Sequence, residues 1–144
     1  MRKNAGFTLI ELMIVVEIIA IMVAVAVPNY LRTRIQANES NAVGSLRTVL
    51  NAQLTYNTVN LTYAPDFDTL TTANPPYLSG NWTSERSGYL FTVEGDGSTF
   101  AARATPTDFG NTGFHGFYVD PSGIVHYQVM AEANADSPVL GQLD

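Results

Sequence analysis

Cysteine is absent from the 144-residue chain, so no disulfide staples the fold and no thiolate zinc site can form. Basic residues are scarce as well. Seven Lys/Arg face thirteen Asp/Glu for a formal charge of −6, which makes nucleic acid a poor partner for the bulk surface. The scarcity is uneven: from Thr58 onward ten acids meet only Arg86 and Arg103, a net −8, whereas residues 7–57 are neutral, with Glu11, Glu17 and Glu39 balancing Arg32, Arg34 and Arg47. Only two histidines are present, and no nucleophile–base–orienter pattern can be read, which argues against catalysis. A chain of this length has room for one modest core beside its N-terminal segment.

What the chain does have is a long apolar run. Phe7 to Val27 is twenty-one residues broken by polar side chains only at Thr8, Glu11 and Glu17. At ~1.5 Å per residue it spans the ~30 Å hydrocarbon core of a bilayer. Arg2 and Lys3 precede it, placing its start on the cytoplasmic side by the positive-inside tendency. A secretory signal would carry its small-residue cleavage site after the run, but here the small residue, Gly6, stands before it.

The stretch Gly6-Phe7-Thr8-Leu9-Ile10-Glu11-Leu12, the short basic leader before it and Pro28 near the end of the run resemble the N-terminus of a type IV pilin or a type II secretion pseudopilin. The resemblance implies that residues 1–6 are a leader and that a prepilin peptidase cuts between Gly6 and Phe7 and methylates the new Phe7 amine. It implies that Glu11 then pairs with the Phe7 amine of a neighbouring subunit. A carboxylate at mid-membrane costs roughly 2.5–3.5 kcal/mol on insertion scales, and a nearby amine offsets much of that. The implied partners are further copies of the chain, the peptidase, an inner-membrane assembly platform and the membrane itself; no cofactor is implied. The implied product is a type IV pilus filament, or in second place a major pseudopilin filament. The rival from another class is an enzyme or binding module tethered by the helix.

Glu17 departs from the family pattern. It lies six residues past Glu11, about 120° away round an ideal helix, so it is read either as a second contact between subunits or as a protonated group hydrogen-bonded in a filament core. Pro28 removes an amide donor and predicts a kink or a loosening of the helix.

Past Pro28, apolar residues recur at Leu31, Ile35, Ala42, Leu46, Val49, Leu50 and Leu54, a helical stripe. The expected organisation is therefore a kinked helix over 7–57, with 7–28 in the membrane or filament core and 29–57 amphipathic. A Pro/Gly-rich connection over 58–88 follows, with a helical turn at Asp66–Thr71 and Trp82, Tyr77 and Leu78 anchoring it on a sheet. From residue 89 to 144 the period becomes two. Tyr89–Val93 and Thr99–Ala104 flank a hairpin turn, and His115–Val119 and Ile124–Val129 flank Asp120-Pro121-Ser122-Gly123, whose proline and glycine fit a type I turn. The fold class is α+β, a pilin-like ladle of one long kinked helix on a small antiparallel sheet. The missing cysteines leave open how the last segment, Ala131–Asp144, is held.

Other chemistry weighs less. His115 and His126 flank Asp120 in sequence as a metal or acid–base candidate, but histidines on neighbouring strands are more often structural. Asp108, Asp120 and Asp136 are calcium candidates without EF-hand spacing. Gly95-Asp96-Gly97-Ser98 lacks the third glycine and the following helix of a phosphate loop. Asn38, Asn60 and Asn81 fall in chance-level glycosylation tripeptides. Phe7, Tyr30 and Tyr56 lie too far apart along one helix to pass electrons within a chain, so core packing is the default for them.

Overall fold

The computed structural model describes residues 6–141; the leader residues Arg2 and Lys3 and the last residues up to Asp144 lie outside them. The element order is α1 (Leu9–Asn60), α2 (Phe67–Thr71), β1 (Tyr89–Gly95), β2 (Phe100–Pro106), β3 (His115–Val119) and β4 (Val125–Val129). The chain divides into two units, one up to Thr33 and one from Arg34 onward.

In the first unit every residue of α1 is exposed. The helical backbone continues through Pro28. Just past it, the Asn29 side-chain amide donates to Val25 O at 3.2 Å, whereas the carbonyl that Pro28 deprives of a donor is that of Ala24.

In the second unit the amphipathic part of α1 buries Ile35, Ala42, Leu46, Val49, Leu50, Ala52 and Gln53. The expected stripe is corrected at its ends, because Leu31 and Leu54 are exposed and Gln53 takes the core-facing place beside Leu54. Helix and sheet share one core in which Leu46 and Val49 meet Tyr89, Phe100, Phe117 and Val119. The sheet is a plain meander in the order β1-β2-β3-β4, all antiparallel. Strand alternation is clean in β1, whose Tyr89, Phe91 and Val93 are buried while the residues between them are exposed.

Gln53 is fully buried and holds the connection to the helix from both sides: its amide donates to Ala64 O and its oxygen accepts from Ala64 N, each at 2.9 Å. The same Ala64 lies so close to Gly95 that a Cβ there would collide with its carbonyl, which explains a glycine at the end of β1. Asp66 caps α2 by accepting from Thr69 N. Trp82 reaches the sheet as expected, stacked on Phe67 at 5.6 Å and edge-on to Phe91 at 5.7 Å. Tyr77 instead pairs with Tyr56 of the helix at 5.2 Å.

The C-terminal segment is held without a disulfide. Tyr127 N donates to Pro138 O and Leu140 N to Val125 O, both at 2.8 Å, so the segment bridges the outer edge of β4 at His126 and Val139. Gly116 of β3 lies under Ala131 and Ala133 closely enough that a Cβ would strike the Ala131 carbonyl.

Replacing Gln53 by leucine leaves both Ala64 groups buried and unpaired, and is expected to cost about 2–4 kcal/mol. Urea unfolding of the detergent-solubilised chain followed by Trp82 fluorescence measures it, and a loss under ~0.5 kcal/mol would mean these bonds contribute nothing net. Acid should destabilise the head through two turn carboxylates. The Thr69 amide and then its hydroxyl hold Asp66 below the ordinary 3.8, and the Thr99 amide, then the Ser98 hydroxyl and amide, do the same for Asp96. A folded-state pKa below the unfolded one means stability that is present above the ordinary carboxylate pKa and is lost as pH falls through the folded value. The melting temperature should therefore drop as pH falls from ~5 towards ~2, and less steeply in Asp96→Asn; parallel curves would exclude Asp96 as a source.

Candidate functional site

The N-terminal segment is built around a reciprocal cap. Thr8 stands immediately before the first helical residue, Leu9. Its backbone N–H and its hydroxyl both donate to Glu11 Oε2, at 2.8 and 2.6 Å, while Glu11 N donates back to Thr8 Oγ1 at 3.3 Å. This is a capping box, Thr at the cap and Glu three residues on, which satisfies amides the first turn leaves without partners. The Thr8-Leu9-Ile10-Glu11 spacing carried that signal in the sequence, where Glu11 was read only as a contact between chains. All the bonds use Oε2; Oε1 accepts none among the described residues. Gly6 and Phe7 precede the helix and are exposed, and a Cβ at Gly6 would meet nothing within 4 Å, so packing inside the chain does not account for the glycine.

Glu17 has no such partner. It is exposed and makes no hydrogen bond among the described residues, and its neighbours one turn away are Met13 and Ile21. The helix around it carries a window of mean hydropathy 2.8, long and apolar enough to cross a membrane.

The head keeps the remaining candidates apart. His115 Nδ1 lies 2.9 Å from Glu39 Oε1 on the helix, and the same oxygen accepts from Phe114 N at 2.8 Å and His115 N at 3.2 Å. His126 turns to Ser137 O at 2.6 Å. The two rings are thus drawn to different partners, with Tyr118 opposite His126 and Val129 opposite His115 in the β3–β4 register. The calcium candidates do not converge either: Asp108 accepts from Asn111 before β3, Asp120 accepts from Ser122 after it, and Asp136 sits in the C-terminal segment. No group of three or more metal-ligating side chains occurs among the described residues. In the Gly95–Ser98 turn, Asp96 itself takes the amides of Ser98 and Thr99 at 2.9 and 2.8 Å, leaving no cradle for a phosphate.

Two helix residues matter more than sequence reasoning credited. Asn38 donates to Thr112 O at 2.9 Å, and Glu39 gathers the three donors around His115, fastening the helix to the start of β3. Burial, and then the negative charge of Glu39, raise the pKa of Tyr89 well above its ordinary value, so its hydroxyl stays protonated and donates to His115 O at 2.8 Å. Contacts across seventy-five residues of chain have no local sequence signature.

A family profile described as the prokaryotic N-terminal methylation motif matches residues 1–27. The type IV wide pilus major component PilA4 of Thermus thermophilus is 33% identical over 111 residues, covering 74% of this chain and 85% of that protein. The chain belongs to the type IV pilin and pseudopilin family. The type IV major pilin protein PilA of Myxococcus xanthus is 44% identical over 54 residues, 38% of this chain, and the match spans 24% of that protein's length. The type II secretion system core protein G of Vibrio cholerae is 40% identical over 63 residues, 44% of this chain and 43% of that protein. No solved structure matches the chain significantly. Within this pilin-type chain the segment that the family profile covers coincides with the capped, exposed apolar helix, and the acidic head lies beyond it.

Thr8→Val removes the cap and should weaken the first helical turn by about 1 kcal/mol. Amide exchange of Leu9 to Leu12 in detergent micelles reads it directly, and unchanged protection would show that the box does not hold the helix start.

Proposed function

We infer that the protein is a pilin: a single-span inner-membrane precursor that a prepilin peptidase cuts between Gly6 and Phe7 and methylates at Phe7, and that an assembly platform then polymerises into a type IV pilus at the cell surface. The observation that carries this reading is the bare helix. From Phe7 to Val27 large apolar side chains stay about half exposed or more, down to Val27 at 48%, with nothing among the described residues to cover them. Lipid covers them in the precursor and other copies in the filament. Such an interface joins different surfaces of identical chains and does not close, so it grows fibres. The role is structural, and no arrangement of catalytic groups is found among the described residues.

Glu11 serves two ends in this scheme. Oε2 caps its own helix, and the unbonded Oε1 meets the methylated Phe7 amine of a neighbour. In a low-dielectric core an ion pair of that kind sets the register of the subunits. Glu17, with no partner among the described residues, is the second group that finds one in a neighbour, and Pro28 is where the helix yields during packing. The partial likeness to core protein G favours a secretion pseudopilin as the second reading.

Intact mass and electron microscopy of material sheared from cells test the scheme. The expected result is fibres whose subunit begins at methylated Phe7, lost in Glu11→Ala and altered in Glu17→Ala. A wild-type protein that stays full-length, membrane-bound and free of fibres would return the chain to the tethered-module reading.

A further inference from the structure

The head is strongly acidic, yet one cleft in it presents a cation and no carboxylate. It has a volume of about 730 Å³ and lies between α1 and the connection that leads into β1, with Asn41, Ser45, Thr48 and Ser87 among its hydroxyl and amide walls. Arg86 lies in that wall with its guanidinium 4.1 Å above the Trp82 ring. Phe67 stacks on the same indole, so the cation sits on a fixed platform. Of the two arginines in the head, Arg103 is paired with Glu94 at 3.0 Å. Arg86 has no carboxylate partner among the described residues. Its own hydrogen bond is a long one, 3.4 Å to Asn81 O, and Glu85 beside it in sequence is exposed and outside the cleft.

Five acids of the head are already occupied: Asp66, Asp96 and Asp120 cap turns, Asp108 holds Asn111 and Glu94 holds Arg103. Asp68, Glu85, Glu132 and Asp136 are exposed, and their carboxylates accept no hydrogen bond among the described residues. Asp68 and Glu85 belong to the same connection as Arg86 and precede β1. Glu132 and Asp136 sit on the C-terminal segment, which bridges β4 at Val139, whereas Arg86 bridges to Tyr89 at the start of β1. In the order β1-β2-β3-β4 Arg86 and this last pair of acids therefore flank opposite edges of the sheet.

We propose that the Arg86 cleft of one subunit receives the Glu132–Asp136 loop of the next, a lateral head-to-tail contact between copies of this chain. The inference rests on the filament reading and names a heterologous contact between neighbouring heads within it. Heads of net charge −8 repel when packed side by side, and a polar cleft with one unpaired guanidinium and no acid is where a neighbour's carboxylate is attracted instead of repelled. Because the two surfaces differ, the contact is heterologous, the kind that can propagate along a filament.

The absence of cysteine makes the test clean. Full-length chain carrying Ser87→Cys and Ala135→Cys, which leave Arg86, Glu132 and Asp136 in place, is expressed in cells, and sheared fibres are treated with a short bis-maleimide, which bridges two thiols through thioether bonds. A ladder of cross-linked dimers and higher multimers, absent from either single-cysteine variant, is the expected result. In parallel, Arg86→Glu should lower fibre yield by ~10-fold or more, and adding Glu132→Arg with Asp136→Arg should restore it. Fibres that form normally and give no ladder, or an Arg86→Glu defect that the reversed acids do not rescue, overturn the head contact alone. Absence of fibres from wild-type cells overturns the filament reading and the contact with it.

Discussion

An apolar helix left bare by its own chain sets the terms for everything else. Fifteen large apolar side chains between Phe7 and Val27 are exposed, and at ~1.5–3 kcal/mol for each that remains in water the unmet burial is on the order of tens of kcal/mol. That exceeds the typical net stability of a whole small domain. Nothing among the described residues hides that surface, and in the proposed scheme lipid or further copies of the chain cover it. The capping box at Thr8 and Glu11 lets the helix begin cleanly in that setting, with its first amides satisfied before any partner arrives.

The head solves a different problem, that of fastening a sheet to a helix without disulfides. It uses a small apolar core together with three polar fasteners placed along α1. Asn38 and Glu39 grip the start of β3, and Gln53 grips Ala64. Each pairs with backbone groups of the segment it grips, those of Ala64 being buried, and no buried side-chain polar atom lacks a partner among the described residues. The C-terminal segment follows the same logic, paired to the edge of β4 through its own backbone. That pairing also blunts an edge strand that would otherwise invite uncontrolled association.

Charge is arranged with equal consequence. Asp66, Asp96, Asp108 and Asp120 are spent on turns, where they lock local geometry, and one arginine is neutralised. The distribution of the rest is uneven, with a cation on an aromatic platform by β1 and an exposed pair of carboxylates, Glu132 and Asp136, by β4. A chain whose apolar helix forces it among its own copies gains from having a complementary pair of surfaces rather than uniform repulsion.

Local chemistry was readable from the residues themselves. The apolar length, the helical stripe through Leu46 and Val49, the Asp120–Gly123 turn, the strand period and the Thr8–Glu11 spacing each lie within a few residues, where backbone geometry dictates the pattern. The sequence by itself therefore determined the α+β class, the single apolar span and the acidic head. Only the tertiary structure decided that Gln53 and not Leu54 faces the core, that His115 and His126 turn to different partners, that Glu39 is the hub at the start of β3, and that Arg86 stands unpaired in a cleft. Those facts depend on which residues distant in sequence are brought within hydrogen-bonding distance, and packing of the helix on the sheet, not local propensity, sets that.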